Sequence, residues 1–140
     1  MQRLFARFLP FAALLLVVSA CGSDDSVDTP TTPPPTDVTE AFQGVLALNG
    51  AFTHSFTLTG ASQITAQLVS LSPDSTLAVG LALGTWNGSI CQIVLANDQT
   101  KQGDVVVGAT NSPGDFCVRI YDASGTIVQA QAYLIHVFHQ

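Results

Sequence analysis

From Phe52 onward, apolar and polar residues take turns along the chain. Phe52, His54, Phe56 and Leu58 alternate with Thr53, Ser55, Thr57 and Thr59, the period-two pattern of a strand with one face buried. Ile64, Ala66 and Leu68 repeat it. Leu77, Val79, Leu81 and Leu83 do so again after the turn signal Ser72-Pro73-Asp74-Ser75. Opposite that third run stand Ala78, Gly80 and Ala82, small enough for close packing on both sides. Asn87-Gly88 marks a tight hairpin turn, followed by a strand near Ile90 to Leu95. A short buried strand is expected at Val105-Val106-Val107. Another runs through Phe116, Val118 and Ile120 after the turn Asn111-Ser112-Pro113-Gly114. A last strand follows Asp122-Ala123-Ser124-Gly125 and ends near Phe138. No stretch has the caps and 3.6-residue period of a helix. The pattern predicts an all-β fold, an antiparallel β-sandwich of jelly-roll type with about eight strands.

Ahead of this domain the pattern changes twice. Gly22 to Glu40 is low in complexity and centred on Thr29-Pro30-Thr31-Thr32-Pro33-Pro34-Pro35-Thr36. Proline fixes φ and removes donors, so the stretch favours extended polyproline II at about 3.1 Å per residue and reads as a spacer. Before it, Arg3 and Arg7 precede an apolar run from Phe8 to Val18 broken only by Pro10. Charge, apolar core and small residues in that order describe a secretory signal. Its close, Val18-Ser19-Ala20-Cys21, resembles a bacterial lipobox. That resemblance implies lipid on Cys21, a signal peptide over 1–20, a spacer over 21–40 and the sandwich over 41–140. It places the protein on the bacterial cell envelope, with the membrane as partner through two or more acyl chains. Gly22 after the cysteine resembles lipoproteins sorted to an outer membrane.

Charge narrows the partners. After Cys21 there are ten acidic residues and two basic ones, Lys101 and Arg119, a balance of −8. Phosphate-backbone binding would have almost no cations to use, which excludes nucleic acid as a partner. With Cys21 assigned to lipid, Cys91 and Cys117 remain as an even pair in an exported chain, and a disulfide is expected. Cys117 falls opposite the apolar face of Phe116, Val118 and Ile120, while Cys91 shares the phase of Ile93 and Leu95. A bulge, or a bridge across a strand end, would reconcile the two.

Candidate chemistry is sparse. A hydrolytic triad needs a nucleophile, a base and an orienting group that converge, and nothing here resembles Gly-x-Ser-x-Gly. His54, His136 and His139 lie on strands or at the chain end without His-Glu-x-x-His or Cys-x-x-Cys spacing, so no zinc site is expected. Asp74, Asp98, Asp104, Asp115 and Asp122 sit in turns or beside them, where carboxylates bond nearby amides. Asn97 to Asp104 reads as a polar hairpin loop, lacking the acids of a calcium loop. Trp86 beside the hairpin turn, with Tyr121 and Tyr133 flanking a sheet face, are the candidate ligand-contact aromatics. For Trp86 the competing reading is a cap on the core.

Two stretches carry a family resemblance. The first runs Phe52-Thr53-His54-Ser55-Phe56-Thr57-Leu58-Thr59-Gly60 through Ile64-Thr65-Ala66-Gln67-Leu68 to Leu77-Ala78-Val79-Gly80-Leu81. The second is Gly114-Asp115-Phe116-Cys117-Val118-Arg119-Ile120-Tyr121-Asp122, closed by Tyr133-Leu134-Ile135-His136-Val137. Together they resemble the bacterial pre-peptidase C-terminal (PPC) family. The resemblance implies a small jelly-roll sandwich of the kind appended to secreted enzymes, some members of which bind matrix or polysaccharide. Some hold calcium through acids near the domain start, where Asp37 and Glu40 stand here. No motif carries those ligands over, and no cofactor is expected. The functional expectation is a non-enzymatic binding or scaffolding module on the envelope, with polysaccharide or an envelope or extracellular protein as ligand. The competing class is a metal-dependent or hydrolytic envelope enzyme, or an enzyme accessory or inhibitor.

Overall fold

Alternation of side chains across eight strands builds the domain, as a computed structural model shows for residues 36–140. The strands are β1 (Val38–Leu46), β2 (Ala51–Leu58), β3 (Ser62–Ser72), β4 (Val79–Trp86), β5 (Cys91–Thr100), β6 (Val105–Thr110), β7 (Gly114–Tyr121) and β8 (Gln131–His139). They form two four-stranded sheets, ordered β1-β8-β3-β6 (sheet A) and β2-β7-β4-β5 (sheet B), with every pairing antiparallel. Consecutive strands lie in different sheets except for the β4–β5 hairpin. That order is the jelly roll. Cys21, the signal and most of the spacer lie outside the described residues. Among the described residues no helix is long and apolar enough to cross a membrane.

The inward rows of the two sheets meet in one core. Sheet A contributes Leu46, Ile64, Ala66, Leu68, Leu71, Ile135 and Val137; sheet B contributes Leu58, Val79, Leu81, Val118 and Ile120. Burying such aliphatic side chains stabilises the fold by roughly 1.5–3 kcal/mol each. Ile127 joins them from the β7–β8 loop because the Asp122 carboxylate accepts N–H bonds from Gly125, Thr126 and Ile127, which bends that loop inward. Asn87 does similar work at the hairpin, accepting from the Ser89 and Ile90 amides, with Gly88 at φ 95°.

Three sequence expectations are corrected. First, β1 begins at Val38, so 38–40 are strand rather than spacer. Its inward row reads Glu40, Phe42, Gly44, Leu46, an alternation blurred by an acid and a glycine. Gly44 is required there: a β-carbon would come within 2.5 Å of the Tyr133 hydroxyl oxygen. Second, Asn97 to Thr100 belongs to β5, and the turn is confined to 101–104. Third, Asp98 therefore sits on a strand and bonds Tyr121 instead of a turn amide.

The phase conflict between the cysteines is resolved by a bulge. Trp86 pairs with Cys91 and Gly84 with Ile93, but Leu83 pairs with Leu95, so Val94 is an extra residue. Cys91 therefore lies on the outer face with Cys117, which pairs with Gly84 on the other side of β4, while Leu95 turns toward the interior. The disulfide Cys91–Cys117 spans β4 with 5.8 Å between α-carbons. Gly84 between them leaves room for β5 to approach, since a side chain there would meet the Gln92 carbonyl.

Candidate functional site

The outer faces of the two sheets differ in what their polar groups are doing. On sheet B two carboxylates are tied to neighbouring hydroxyls. The Thr57 hydroxyl donates to Asp115 at 2.7 Å, and the Tyr121 hydroxyl donates to Asp98. Burial, reinforced by that carboxylate, pushes the Tyr121 hydroxyl up to about 12. The Tyr121 ring covers Gly80, where any side chain would collide with it.

The sequence-predicted aromatics do not converge. Trp86 is half-buried at the end of β4, paired with Cys91, and it is not among the core residues, so the core-cap reading is not what the structure shows. Tyr121 pairs with Gly80 at the other end of the same strand, about 20 Å away at some 3.4 Å per residue. Tyr133 is no surface residue. It is 3 % exposed, because its position on β8 falls on the inward row. There its hydroxyl shares a 2.9 Å hydrogen bond with His54 Nε2, and burial raises its pKa.

His139 is also built into the fold, whereas His136 lies on the outer face of sheet A. His139 is buried, stacked on Phe56 at 5.6 Å between ring centres and bonded through Nε2 to Glu40 at 3.0 Å. Its Nδ1 is buried without a partner. Asp37, the other acid at the domain start, accepts from Gln140 Nε2 at 3.1 Å, so the two acids serve different contacts. Asp74 takes the Thr76 hydroxyl and amide, which hold its carboxyl below the ordinary range. Asp122 is lowered too: burial pushes it up, but N–H bonds from Asn49, Thr126, Ile127 and Gly125 outweigh that. Among the described residues, no group of three or more His, Cys, Asp or Glu could hold a metal ion.

Sheet A presents a different outer face. Across its strands run the rows Thr39–Phe138–Thr65–Val107 and Ala41–His136–Gln67–Val105. None of the strand residues on this face is Asp, Glu, Lys or Arg. His136 and Phe138 pack edge to face at 6.0 Å. At one end Asp37, Gln63, Thr65, Phe138 and Gln140 line a shallow groove of about 280 Å³. The Gln63 and Thr65 side chains make no hydrogen bond among the described residues. Exposed amides and hydroxyls beside an aromatic face, with little charge, can bind a neutral polar ligand through hydrogen bonds and apolar contact.

Sequence reasoning passed over this face. The available signal was β8, where Leu134, His136 and Phe138 alternate with Tyr133, Ile135 and Val137, leaving large side chains on both faces.

No family model matches the sequence, and no curated protein matches it. Among solved structures the chain is similar to a periplasmic inhibitor of g-type lysozyme from Aeromonas hydrophila. The identity is 12 %, the match covers 73 % of this chain and 86 % of that one, and the TM-score is 0.51. It is also similar to the pre-peptidase C-terminal domain of a collagenase from Bacillus anthracis. There the identity is 10 %, the coverage 74 % and 90 %, and the TM-score 0.44. A likeness at these identities concerns the fold alone. The antiparallel jelly-roll sandwich expected from the strand pattern is what the chain forms.

Proposed function

We propose that the chain is a cell-envelope lipoprotein, held to the outer membrane through lipid on Cys21. Its sandwich is a non-enzymatic binding or scaffolding module that works through the outer face of sheet A. The observation that carries this reading is the groove at Phe138, where Gln63 and Thr65 offer unused hydrogen-bonding groups beside an aromatic ring. The commitment of His54, His139, Asp74, Asp98, Asp115 and Asp122 to core, turn or cross-strand contacts supports a structural rather than a catalytic role for them. The ligand class that fits is an uncharged envelope polysaccharide or an uncharged protein surface.

The test has two arms. Full-length protein expressed in a bacterial host should partition with membranes and carry acyl mass on Cys21; Cys21→Ala should release it, and unchanged fractionation would refute the anchor. Released protein should then cosediment with purified envelope fragments, and Phe138→Ala with Gln63→Ala should lower the bound fraction several-fold. Equal binding by that variant would remove the face assignment, and absence of cosedimentation would remove the binding reading. Fold likeness does not carry function across. Inhibition of a g-type lysozyme, the activity named for the similar Aeromonas protein, is therefore a separate assay, and unchanged lysozyme rates would exclude it.

A further inference from the structure

Two of the four asparagines precede glycine, in Asn49-Gly50 and Asn87-Gly88. In such a pair the glycine nitrogen can approach the asparagine Cγ, because glycine has no side chain to block it. The fold treats the two pairs in opposite ways. Asn49 is held at φ 54°, and its amide donates to Asp122 at 3.0 Å. The Gly50 amide, the group that would attack, donates to the Ala47 carbonyl at 2.8 Å. A β-carbon on Gly50 would stand 2.8 Å from that same oxygen, so the turn is tightly closed. At Asn87 the reverse holds. Residues 87–90 are all exposed. The Gly88 amide makes no hydrogen bond among the described residues. No atom beyond its chain neighbours lies within 4 Å of where a β-carbon on Gly88 would stand. Asn87 Oδ1 accepts from the Ser89 amide at 3.0 Å and from the Ile90 amide at 2.8 Å. Two N–H donors on one carbonyl oxygen stabilise the oxyanion that forms when a nucleophile adds to its carbon. The ring closed by Oδ1 and the Ser89 amide contains the Gly88 nitrogen, which keeps the side chain beside it.

We propose that Asn87 is a self-modification site, converted by water and without an enzyme to aspartate and isoaspartate. The Gly88 nitrogen attacks Asn87 Cγ and closes a cyclic imide. The Cγ–Nδ2 bond breaks, and the Gly88 amide proton leaves with the ammonia. Water then opens the ring at either carbonyl. Addition at Cγ restores the backbone and leaves an aspartate side chain. Addition at the main-chain carbonyl carbon routes the backbone through Cγ and leaves a free α-carboxylate. The two products act differently on the hairpin. Aspartate keeps an oxygen where Oδ1 stood and adds charge to it, so the bonds from Ser89 and Ile90 strengthen. Isoaspartate lengthens the backbone between Trp86 and Ile90 by one carbon. The Asn87 amide bonds the Ile90 carbonyl at 3.3 Å and Trp86 pairs with Cys91, so the longer path loosens the closed end of the β4–β5 hairpin.

The test is incubation of the full chain in detergent, disulfide intact, in mildly alkaline buffer made with heavy-oxygen water. Peptide masses then report which asparagine has exchanged its amide for a labelled carboxylate. The same incubation in guanidinium after reduction removes the fold and serves as the reference. In the folded chain Asn87 should react several-fold faster than Asn49, and no slower than Asn87 of the unfolded chain. Without the fold the two pairs should react at similar rates. Asn49 reacting as fast as Asn87 in the folded chain would overturn the proposal. So would slower reaction of Asn87 in the folded chain than in the unfolded one, since the turn would then protect the amide. Asn87→Gln should lack the more acidic species that the wild type develops on isoelectric focusing, and its persistence in that variant would place the reaction elsewhere.

Discussion

The two flanks of the sandwich are built from the same parts, a pair of edge strands with the core between them, yet they end differently. Between β1 and β2 the gap is closed by rings. Phe42 stacks on His54 at 4.9 Å, Tyr133 meets both Phe52 and His54, and Phe56 stacks on His139. Hydrogen bonds between His54 and Tyr133 and between His139 and Glu40 fix those rings in place. Between β5 and β6 no pair of rings spans the gap, and Ile64, Leu83, Val94, Leu95 and Phe116 surround an open groove. The comparison teaches that a jelly roll closes a flank when large amphipathic rings reach across it. Leu and Val are too short to do so, and they leave the groove open.

The most damaging way to break the closed flank is Phe56→Ala. That ring is buried against Phe116 and His139, and its removal should cost about 3–5 kcal/mol in urea unfolding. A loss below 1 kcal/mol would mean that the flank collapses around the cavity. On the open side, β5 holds to β4 through a ladder interrupted by register shifts, and the disulfide compensates by tying β5 to β7. Replacing Cys91 and Cys117 together by Ala opens a loop of 26 residues and should cost about 3–4 kcal/mol on the chain-entropy account. Hydrogen exchange should rise first in β5. Uniform loosening of all strands would contradict the idea that the bridge serves that edge.

Tyr133→Phe is a finer probe of the ring closure. It keeps the ring and removes the partner of His54, so stability should fall by about 1 kcal/mol. The smallest effect is a pH dependence. Burial lowers the pKa of His54 in the fold, whereas unfolded histidine titrates near 6.5. The unfolded chain therefore binds the proton more readily, and stability should decline as pH falls from about 6.5 through the lower folded value. Asp74 and Asp122, also lowered in the fold, contribute a separate loss below about pH 4. Thermal melts across that range should show both windows, and His54→Phe should abolish the upper one alone.

Much of this was legible in the residues. Period-two alternation is a local property set by the pleat, so β2, β3, β4, β7 and β8 could be read directly, as could the turns at Asn87-Gly88 and Asp122. Oxidation of Cys91 with Cys117 followed from counting cysteines. What escaped were features in which one strand answers to another. β1 hid because Gly44 is small only to admit Tyr133 from the neighbouring strand. β5 was cut short because its register shifts interrupt the alternation wherever β4 imposes its own spacing.

The sequence by itself determined the number of strands to within one, the residues that form the inward rows of β2, β3, β4 and β7, and the pairing of the cysteines. Those depend on side-chain polarity and spacing along a single extended chain. The tertiary structure alone decided which face each aromatic serves. It placed Tyr133 in the core, separated Trp86 from Tyr121, exposed Phe138 beside Gln63 and Thr65, and left the β5–β6 flank open. Those outcomes depend on the order in which strands join two sheets, and a two-residue period is blind to that order.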